Sequence, residues 1–332
     1  MQTDMPLVTI GMPVYNGSAS LEPAIESILS QSYQNLEIII SDNNSEDNTL
    51  EICQKYASLD QRITVIQNKK NVGATENSNI LMKAAAGKYF MLMAHDDIKA
   101  SNFVQDCTLM LEQNKDAVLC HCNTSFYVEN YSDKVCTASL GSVIGIENIF
   151  QRFYATLSTL PAVAIYGLIR VEALKKTMYF RKSIATDIAF ICELSLHGEF
   201  IQVKQDLFNY ISRSSWNDIH QDYKVFFGAD RKPWWYIPFF FLFLDHVTRI
   251  VFLQKNPAIK LGCFATLICY YFKLFIQKII LKTFFFLSPT KYQDSLGEFL
   301  YWTMLHNPNI QILDIKKYKE RFMKPIIGWR NS

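Results

Sequence analysis

Lys88-Tyr89-Phe90-Met91-Leu92-Met93-Ala94-His95-Asp96-Asp97 is an apolar run that stops abruptly at two adjacent carboxylates. A short continuous apolar segment reads as a strand buried on both faces. Strands of that kind build open α/β sheets, where ligands bind beyond the carboxyl ends. Two neighbouring Asp side chains repel when both are ionised, so a nearby cation stabilises them. Hard divalent cations take oxygen ligands and often join one or two carboxylates to substrate phosphates. On these residues alone, a solvated loop closing a strand is the alternative.

Working toward the N-terminus, the pattern repeats. Leu7 to Met12 reads as a first strand, broken by the turn residues Pro13-Val14-Tyr15-Asn16-Gly17. Ser20 is placed to cap a helix whose apolar residues Leu21, Ile25, Ile28 and Leu29 share one face. Leu36 to Ser41 is a second strand. It runs into the polar turn Asp42-Asn43-Asn44-Ser45-Glu46-Asp47, with Ser45 as the expected cap of a helix reaching about Ser58. Arg62 to Gln67 is a third strand, and a helix from about Ala74 to Ala86 leads back to the opening stretch. Alternating strands and helices predict βαβ units and a mostly parallel, Rossmann-like sheet. Three strand ends then carry polar clusters on one edge: Tyr15-Asn16, Asp42 and Asp96-Asp97. Neither GxGxxG nor a Walker A sequence is present, so bound phosphates need side chains and a metal.

The chain has 332 residues, 49% hydrophobic and 19% charged, which excludes a disordered protein. Its net charge of +2 hides an asymmetry. Residues 1–230 hold 18 Lys/Arg against 26 Asp/Glu, a net of −8; residues 231–332 hold 15 against 5, a net of +10. The expected division is therefore an α/β domain over 1–230 and a basic, aromatic-rich helical region over 231–332. Eight cysteines form no CxxC pair, and Cys120-His121-Cys122 suits strand packing better than zinc. With no secretory leader pattern at Met1 to Pro6, a reducing cytoplasmic setting is expected.

Several pieces in order resemble family 2 glycosyltransferases of the GT-A fold, over about residues 6 to 215. They are Pro13-Val14-Tyr15-Asn16, Ser27 to Tyr33, Glu37 to Asp47, Asn71-Val72-Gly73 with Asn79, Ala86-Gly87-Lys88-Tyr89 and Asp96-Asp97. The resemblance implies an inverting transfer of sugar from a nucleotide-diphosphate donor, with Mg²⁺ or Mn²⁺ as cofactor. It implies that Pro13, Val14, Tyr15 and Asn16 line the nucleotide pocket and that Asp42 accepts a hydrogen bond from the base, plausibly uracil of a UDP-sugar. Asn71, Asn79 and Asp97 would lie by the donor. Asp96 matches the second Asp of the family's DxD metal motif; Ala94 replaces the first, and His95 is the middle residue. Ser78 stands where the family often has Arg.

Farther on, Ile184 to Leu194 places Asp187 at the start of an apolar helix, on a face with Ile191 and Leu194. By itself this Asp is a cap or a first-turn acid favoured by the helix dipole. The resemblance makes it the general base, with Glu193 as the next candidate. It also brings Arg213, in Tyr210-Ile211-Ser212-Arg213, toward the donor phosphates. A nucleotidyltransferase would need a Gly-rich or basic loop after the first strand, and Pro13 to Gly17 holds no Lys or Arg. A catalytically silent sugar-nucleotide binder or assembly subunit is the rival that Ala94 keeps open.

The basic C-terminal region points to an anionic membrane surface, rather than nucleic acid, as partner. Trp234 to Leu244 is strongly apolar but meets Asp245, His246 and Arg249 before the ~20 residues a spanning helix needs. Leu261 to Leu287 is interrupted by Lys273, Gln277, Lys278 and Lys282. An apolar helix with a Lys stripe lies in the interface plane. The expectation is a cytoplasmic enzyme held peripherally on the inner face of the membrane. Its acceptor would be a carbohydrate or a lipid-linked group, its role cell-surface polysaccharide or glycolipid synthesis.

Overall fold

The computed structural model describes residues 5–128, 134–139, 143, 145–159, 162–183, 185–212, 226–227, 238–253, 255–287 and 310–312. Its first half is the alternation read above. The strands are β1 (Val8–Val14), β2 (Leu36–Asp42), β3 (Ile63–Gln67) and β4 (Tyr89–Leu92), and the helices α1 (Leu21–Leu29), α2 (Thr49–Leu59) and α3 (Gly73–Ala84). These strands lie parallel in the order β4-β1-β2-β3. Val8, Ile10 and Met12 pack on one face with α1, while Phe90 and Leu92 join Leu81 and Met82 of α3 on the other. With helices on both faces, apolar residues can run without alternation, which is why the strands read as continuous blocks. The opening stretch is strand only through Leu92, and residues 93–97 form the turn beyond it.

The second half corrects the expectation of a mostly parallel sheet. It contains β5 (Ile98–Lys99), α4 (Phe103–Gln113), β6 (Ala117–Val128), β7 (Lys134–Ala138), α5 (Ile149–Thr159), a 3₁₀ turn (Ala162–Tyr166) and β8 (Leu168–Arg170). These are followed by α6 (Val171–Leu174), α7 (Thr186–Leu194) and β9 (Glu199–Ser212). Here β8 runs antiparallel between β4 and β6, β7 antiparallel to β6, and β5 antiparallel to β9. Among the described residues of this half, β6 and β9 are the pair that runs parallel, along nearly their whole lengths. The result is a mixed α/β sheet. Neighbour choice between distant strands is a tertiary decision that a single strand's composition does not record.

Two further helices, α8 (Pro238–Leu253) and α9 (Pro257–Leu287), pack on α5 and α7 through Phe153, Leu157, Cys192, Ile250, Cys263 and Leu267. A last strand, β10 (Ile310–Ile312), pairs antiparallel with β7. The polar residues of α8 point inward: Asp245, His246 and Arg249 are 4%, 2% and 1% exposed, whereas Phe240 and Phe252 are 53% and 74% exposed. Arg249 Nε donates to Asp245 Oδ1 at 3.1 Å, and its guanidinium also pairs with Glu193 of α7. Breaking such a buried pair from one side typically costs ~3–5 kcal/mol, because the remaining charge is stranded. Charges read in the sequence as interrupting an apolar helix therefore anchor it to α7. Among the described residues, no helix is long and apolar enough to cross a membrane.

Candidate active site

The β1–α1 and β2–α2 turns are stitched together at the sheet's carboxyl edge. Asn16 has φ 49°, a left-handed conformation that Asn tolerates. Its N–H donates to Ser45 Oγ at 3.0 Å, and its Oδ1 accepts from Glu46 N–H at 2.8 Å. The Gly17 N–H donates to Thr49 Oγ1 at 2.8 Å, and the Ser18 N–H to Asp47 at 3.2 Å. The expected caps are thus revised. Ser45 serves this cross-link, α2 begins at Thr49 with Asp47 receiving the Thr49 N–H, and Ser20 donates to Gly17 O instead of accepting at the α1 terminus. Along this rim, Val14 is buried, Pro13 half-buried, and Tyr15 and Asn16 exposed. Asp42 is fully buried below the rim and accepts the Ser45 N–H with both oxygens at 3.3 Å.

Behind that edge lies an amide network. Asn43 Nδ2 donates to Asn71 Oδ1 at 2.9 Å, and Asn71 Oδ1 also accepts the Gly73 N–H, turning the chain into α3. Asn68 bridges Asn43 and Asn77, and Asn77 bonds Ser41. Asn79 is engaged at both ends of its amide: Nδ2 donates to Phe180 O at 3.0 Å and Oδ1 accepts Phe180 N–H at 2.9 Å. The side chains of Asn71 and Asn79 therefore hold loops in register at the carboxyl edge of the sheet. The clamped 177–183 segment leads into α7.

The turn after β4 faces the first rim. A Cβ on Gly17 would come within 2.5 Å of the His95 ring, so only glycine lets the imidazole lie across the β1–α1 turn. Asp96 is half-buried. Asp97 is 1% exposed, and its Oδ1 accepts the Ile211 N–H of β9 at 3.1 Å, which binds the turn to the second half of the sheet. Two residues on, buried Lys99 donates to Tyr166 O at 2.9 Å and lies over the Phe208 ring. Burial lowers its ammonium to about 8, so it remains mostly charged at neutral pH.

Asp187 lies in the first turn of α7, two residues after the N-cap position, which Ala185 occupies with φ 63°. Its side chain is half-buried overall, and desolvation raises the carboxyl above the usual range against the opposing effect of the backbone at the start of the helix, where the Ile188 N–H donates to Ala185 O at 3.1 Å. A raised carboxyl is a stronger base when ionised. Glu193 is committed elsewhere: it receives the Met178 N–H at 2.7 Å and pairs with Arg249, while burial pushes it up to about 7. The Tyr166 hydroxyl is pushed upward by burial, then by the charges of Tyr210, Asp97, Asp96 and Asp187. Asp96, Asp97 and Asp187 are thus near enough to Tyr166 for their charges to bear on its hydroxyl.

The donor set for a divalent cation is sparse in protein groups. Among the described residues, no three His, Cys, Asp or Glu side chains are placed to hold a metal ion. Asp97 is bound to β9, and Asp96 lies half-buried at the rim. One carboxylate fits Mg²⁺ or Mn²⁺ when substrate phosphates and water complete the shell. Arg213 lies outside the described residues, as do Trp234 to Ile237 and the side chains of Gln277, Lys278 and Lys282.

The model of "Glycosyl transferase family 2" matches residues 9–184, just over half of the chain. The chain belongs to that family. A stretch of 109 residues is 38% identical to a glycosyltransferase of Haemophilus influenzae, covering 33% of this chain and 34% of the relative. The chain spans about a third of the length of the curated relatives it matches. TarS 1-349 of S. aureus, solved with UDP-GlcNAc, superposes with a TM-score of 0.57 at 17% identity, over 89% of this chain and 80% of TarS. The mannosyltransferase PcManGT of Pyrobaculum calidifontis, solved with GDP-Man and Mn²⁺, gives 0.55 at 13% identity, over 98% and 87%. These likenesses support the GT-A-like family 2 fold.

Sequence reasoning did not reach Lys99 or Tyr166, because neither has a local signal. Asp245 and Arg249 did carry one, an i,i+4 pair of opposite charge inside an apolar helix.

Proposed function

We propose that this family 2 chain transfers a sugar from a nucleotide-diphosphate sugar, a UDP-sugar in the first instance, to an acceptor hydroxyl with inversion. The observation that carries the reading is the family 2 match together with the carboxylates it leads to expect: Asp96 and Asp97 in the turn after β4 and Asp187 in the first turn of α7. Relatives of this fold bind UDP-GlcNAc in one case and GDP-Man with Mn²⁺ in another, which supports a nucleotide-sugar donor. Displacement at the anomeric carbon requires an in-line nucleophile and a stabilised leaving diphosphate. Asp187 takes the proton of the acceptor hydroxyl as it attacks. Asp96 would hold a divalent cation, which when bound offsets the charge developing on the diphosphate. Pro13 to Asn16 and Asp42 form the base end of the donor site, Asp97 and the amides of Asn71 and Asn79 fix its walls, and Arg213 serves the phosphates. Replacement of the motif's first Asp by Ala94 favours one competing reading, a silent nucleotide-sugar binder. The deciding experiment is turnover on a panel of UDP- and GDP-sugars with carbohydrate and lipid-linked acceptors. Nucleotide-sugar binding with no transfer or hydrolysis across the panel would establish the binder.

We also propose that residues 231–332 seat the enzyme on the anionic inner face of a membrane, in cell-surface polysaccharide or glycolipid synthesis. The outward side of α9 shows Leu261, Ile268, Phe272 and Phe275 at 73%, 58%, 63% and 59% exposure, with Lys273 among them. Apolar residues outside, basic residues beside them and a net charge of +10 suit an interfacial helix. Vesicles containing phosphatidylglycerol should float the protein at low salt. Phe272→Glu with Phe275→Glu should weaken partitioning by ~10²-fold or more, since each buried Phe contributes about 1.5–3 kcal/mol. Absence of flotation at low salt would reject the membrane role.

A further inference from the structure

Tyr166 ends the 3₁₀ turn immediately before β8, and its place is fixed from several sides. Its carbonyl is held by Lys99 Nζ at 2.9 Å. Its ring packs on Phe208 and Tyr210 of β9, with centroids 5.6 Å and 6.5 Å away. The next residue must be glycine, because a Cβ on Gly167 would stand 2.5 Å from Cys120 O. The same part of β9 carries the metal-side turn: Ile98 pairs with Asn209, and Asp97 takes the Ile211 N–H. On the other flank, Ala164 and Ile165 of the turn share a core with Phe190 and Ile191 of α7, the helix that begins with Asp187. Tyr166 therefore stands where the strand-end turn, β9 and the base-bearing helix meet, and the residue is half-buried.

We propose that the Tyr166 hydroxyl recognises the transferred sugar, donating a hydrogen bond to one of its oxygens between Asp96 and Asp187. The assignment rests on the glycosyl-transfer reading. In that reading the leaving diphosphate lies on the Asp96 side and the nucleophile on the Asp187 side. The sugar ring must then lie between them, on the side of the fold where Tyr166 stands. Carboxylates there accept hydrogen bonds from sugar hydroxyls, while an oxygen turned toward them needs a donor. Burial and the surrounding negative charge keep the phenol protonated, so it supplies one. A site that hydrogen-bonds a particular oxygen rejects donors lacking it, because the buried partner is left unpaired. Lys99 is the positioning residue behind it.

The test is calorimetric binding of UDP, UDP-glucose, UDP-galactose, UDP-N-acetylglucosamine and GDP-mannose to the wild type and to Tyr166→Phe, each with its melting temperature. The Phe variant keeps the ring packing and loses only the hydroxyl. Expected are unchanged UDP affinity and about tenfold weaker binding of whichever UDP-sugar the wild type prefers. If GDP-mannose is preferred, the same contrast applies against GDP. Equal loss for the free nucleotide and its sugar conjugate, or no loss for either, overturns the assignment. A wild type that binds none of the panel removes the donor reading itself, and the role of Tyr166 with it, an outcome distinct from the other two.

Discussion

Asp187→Asn is expected to lower turnover by ~10²- to 10⁴-fold while donor affinity and melting temperature stay close to the wild type's. The factor is what general-base catalysis typically contributes when an acceptor hydroxyl must lose its proton during attack. The variant is discriminating because of where Asp187 sits. Its carboxyl sits in the first turn of α7, where it can accept bonds from the backbone N–H groups of the helix N-terminus, a purely structural occupation. The Asn carbonyl can keep accepting those bonds, but the amide cannot take a proton at any working pH. The structural role therefore survives and the chemical role does not. A base must be ionised to act, so wild-type kcat should rise with pH through the raised titration of Asp187 and level off above it. That acid limb should vanish from the residual activity of the Asn variant. Normal turnover with a lowered melting temperature would mark Asp187 as a helix-terminus residue. Collapse of donor binding with turnover would mean that it contacts the donor. Glu193 cannot substitute in either case, since it is spent on Arg249 and the Met178 N–H.

The parallel half of the fold was legible because each strand is flanked by its own helix and buried on both faces. Local apolar runs and local turn residues carry that information together. The mixed half was not legible. β6 pairs with β7, β8 and β9 at once, and β9 meets it from more than 70 residues away. Caps were read too locally as well. Ser45 is chemically an N-cap residue, but its hydroxyl is used by Asn16, 29 residues earlier, and Asp47 takes over at the helix. Short polar side chains have several backbone partners within reach, and tertiary contacts choose among them.

The C-terminal helices show the same limit with larger consequence. In sequence, Asp245, His246 and Arg249 look like the wet stop of an apolar segment. In the structure they are its buried root, and burial, reinforced by Arg249, pushes His246 down to about 3. Inward charge and outward Phe on α8 reverse the usual arrangement of a water-facing helix. The site shows a comparable split. Asp96 and Asp187 are recognisable as carboxylates at element ends, whereas Tyr166, proposed to act between them, is identifiable only through its neighbours in space.

Asp96→Ala should abolish measurable transfer, a loss of ~10³-fold or more. Charge stabilisation by a bound cation contributes several kcal/mol, and each 1.36 kcal/mol is a factor of ten in rate. The prediction is specific to Asp96 because its neighbour has another task. Asp97 receives the Ile211 N–H while nearly fully buried, so Asp97→Ala should loosen the β5–β9 pairing and lower the melting temperature. Asp96 is half-buried at the rim and less enclosed than Asp97, so its replacement should cost less stability, which the melting temperature checks. A single protein carboxylate binds Mg²⁺ or Mn²⁺ weakly until the diphosphate supplies further oxygens, so cation and nucleotide should bind with positive coupling. Calorimetry should show wild-type UDP affinity rising by tenfold or more on adding Mn²⁺, and falling back with EDTA. The Ala variant should bind UDP at the metal-free level whether or not Mn²⁺ is present. Ala94 sharpens the expectation: with the first Asp of the motif missing, no second carboxylate there can rescue the coupling. Full activity of the wild type in EDTA would reject the cation role of Asp96. The positive charge opposite the diphosphate would then have to come from a side chain such as Arg213.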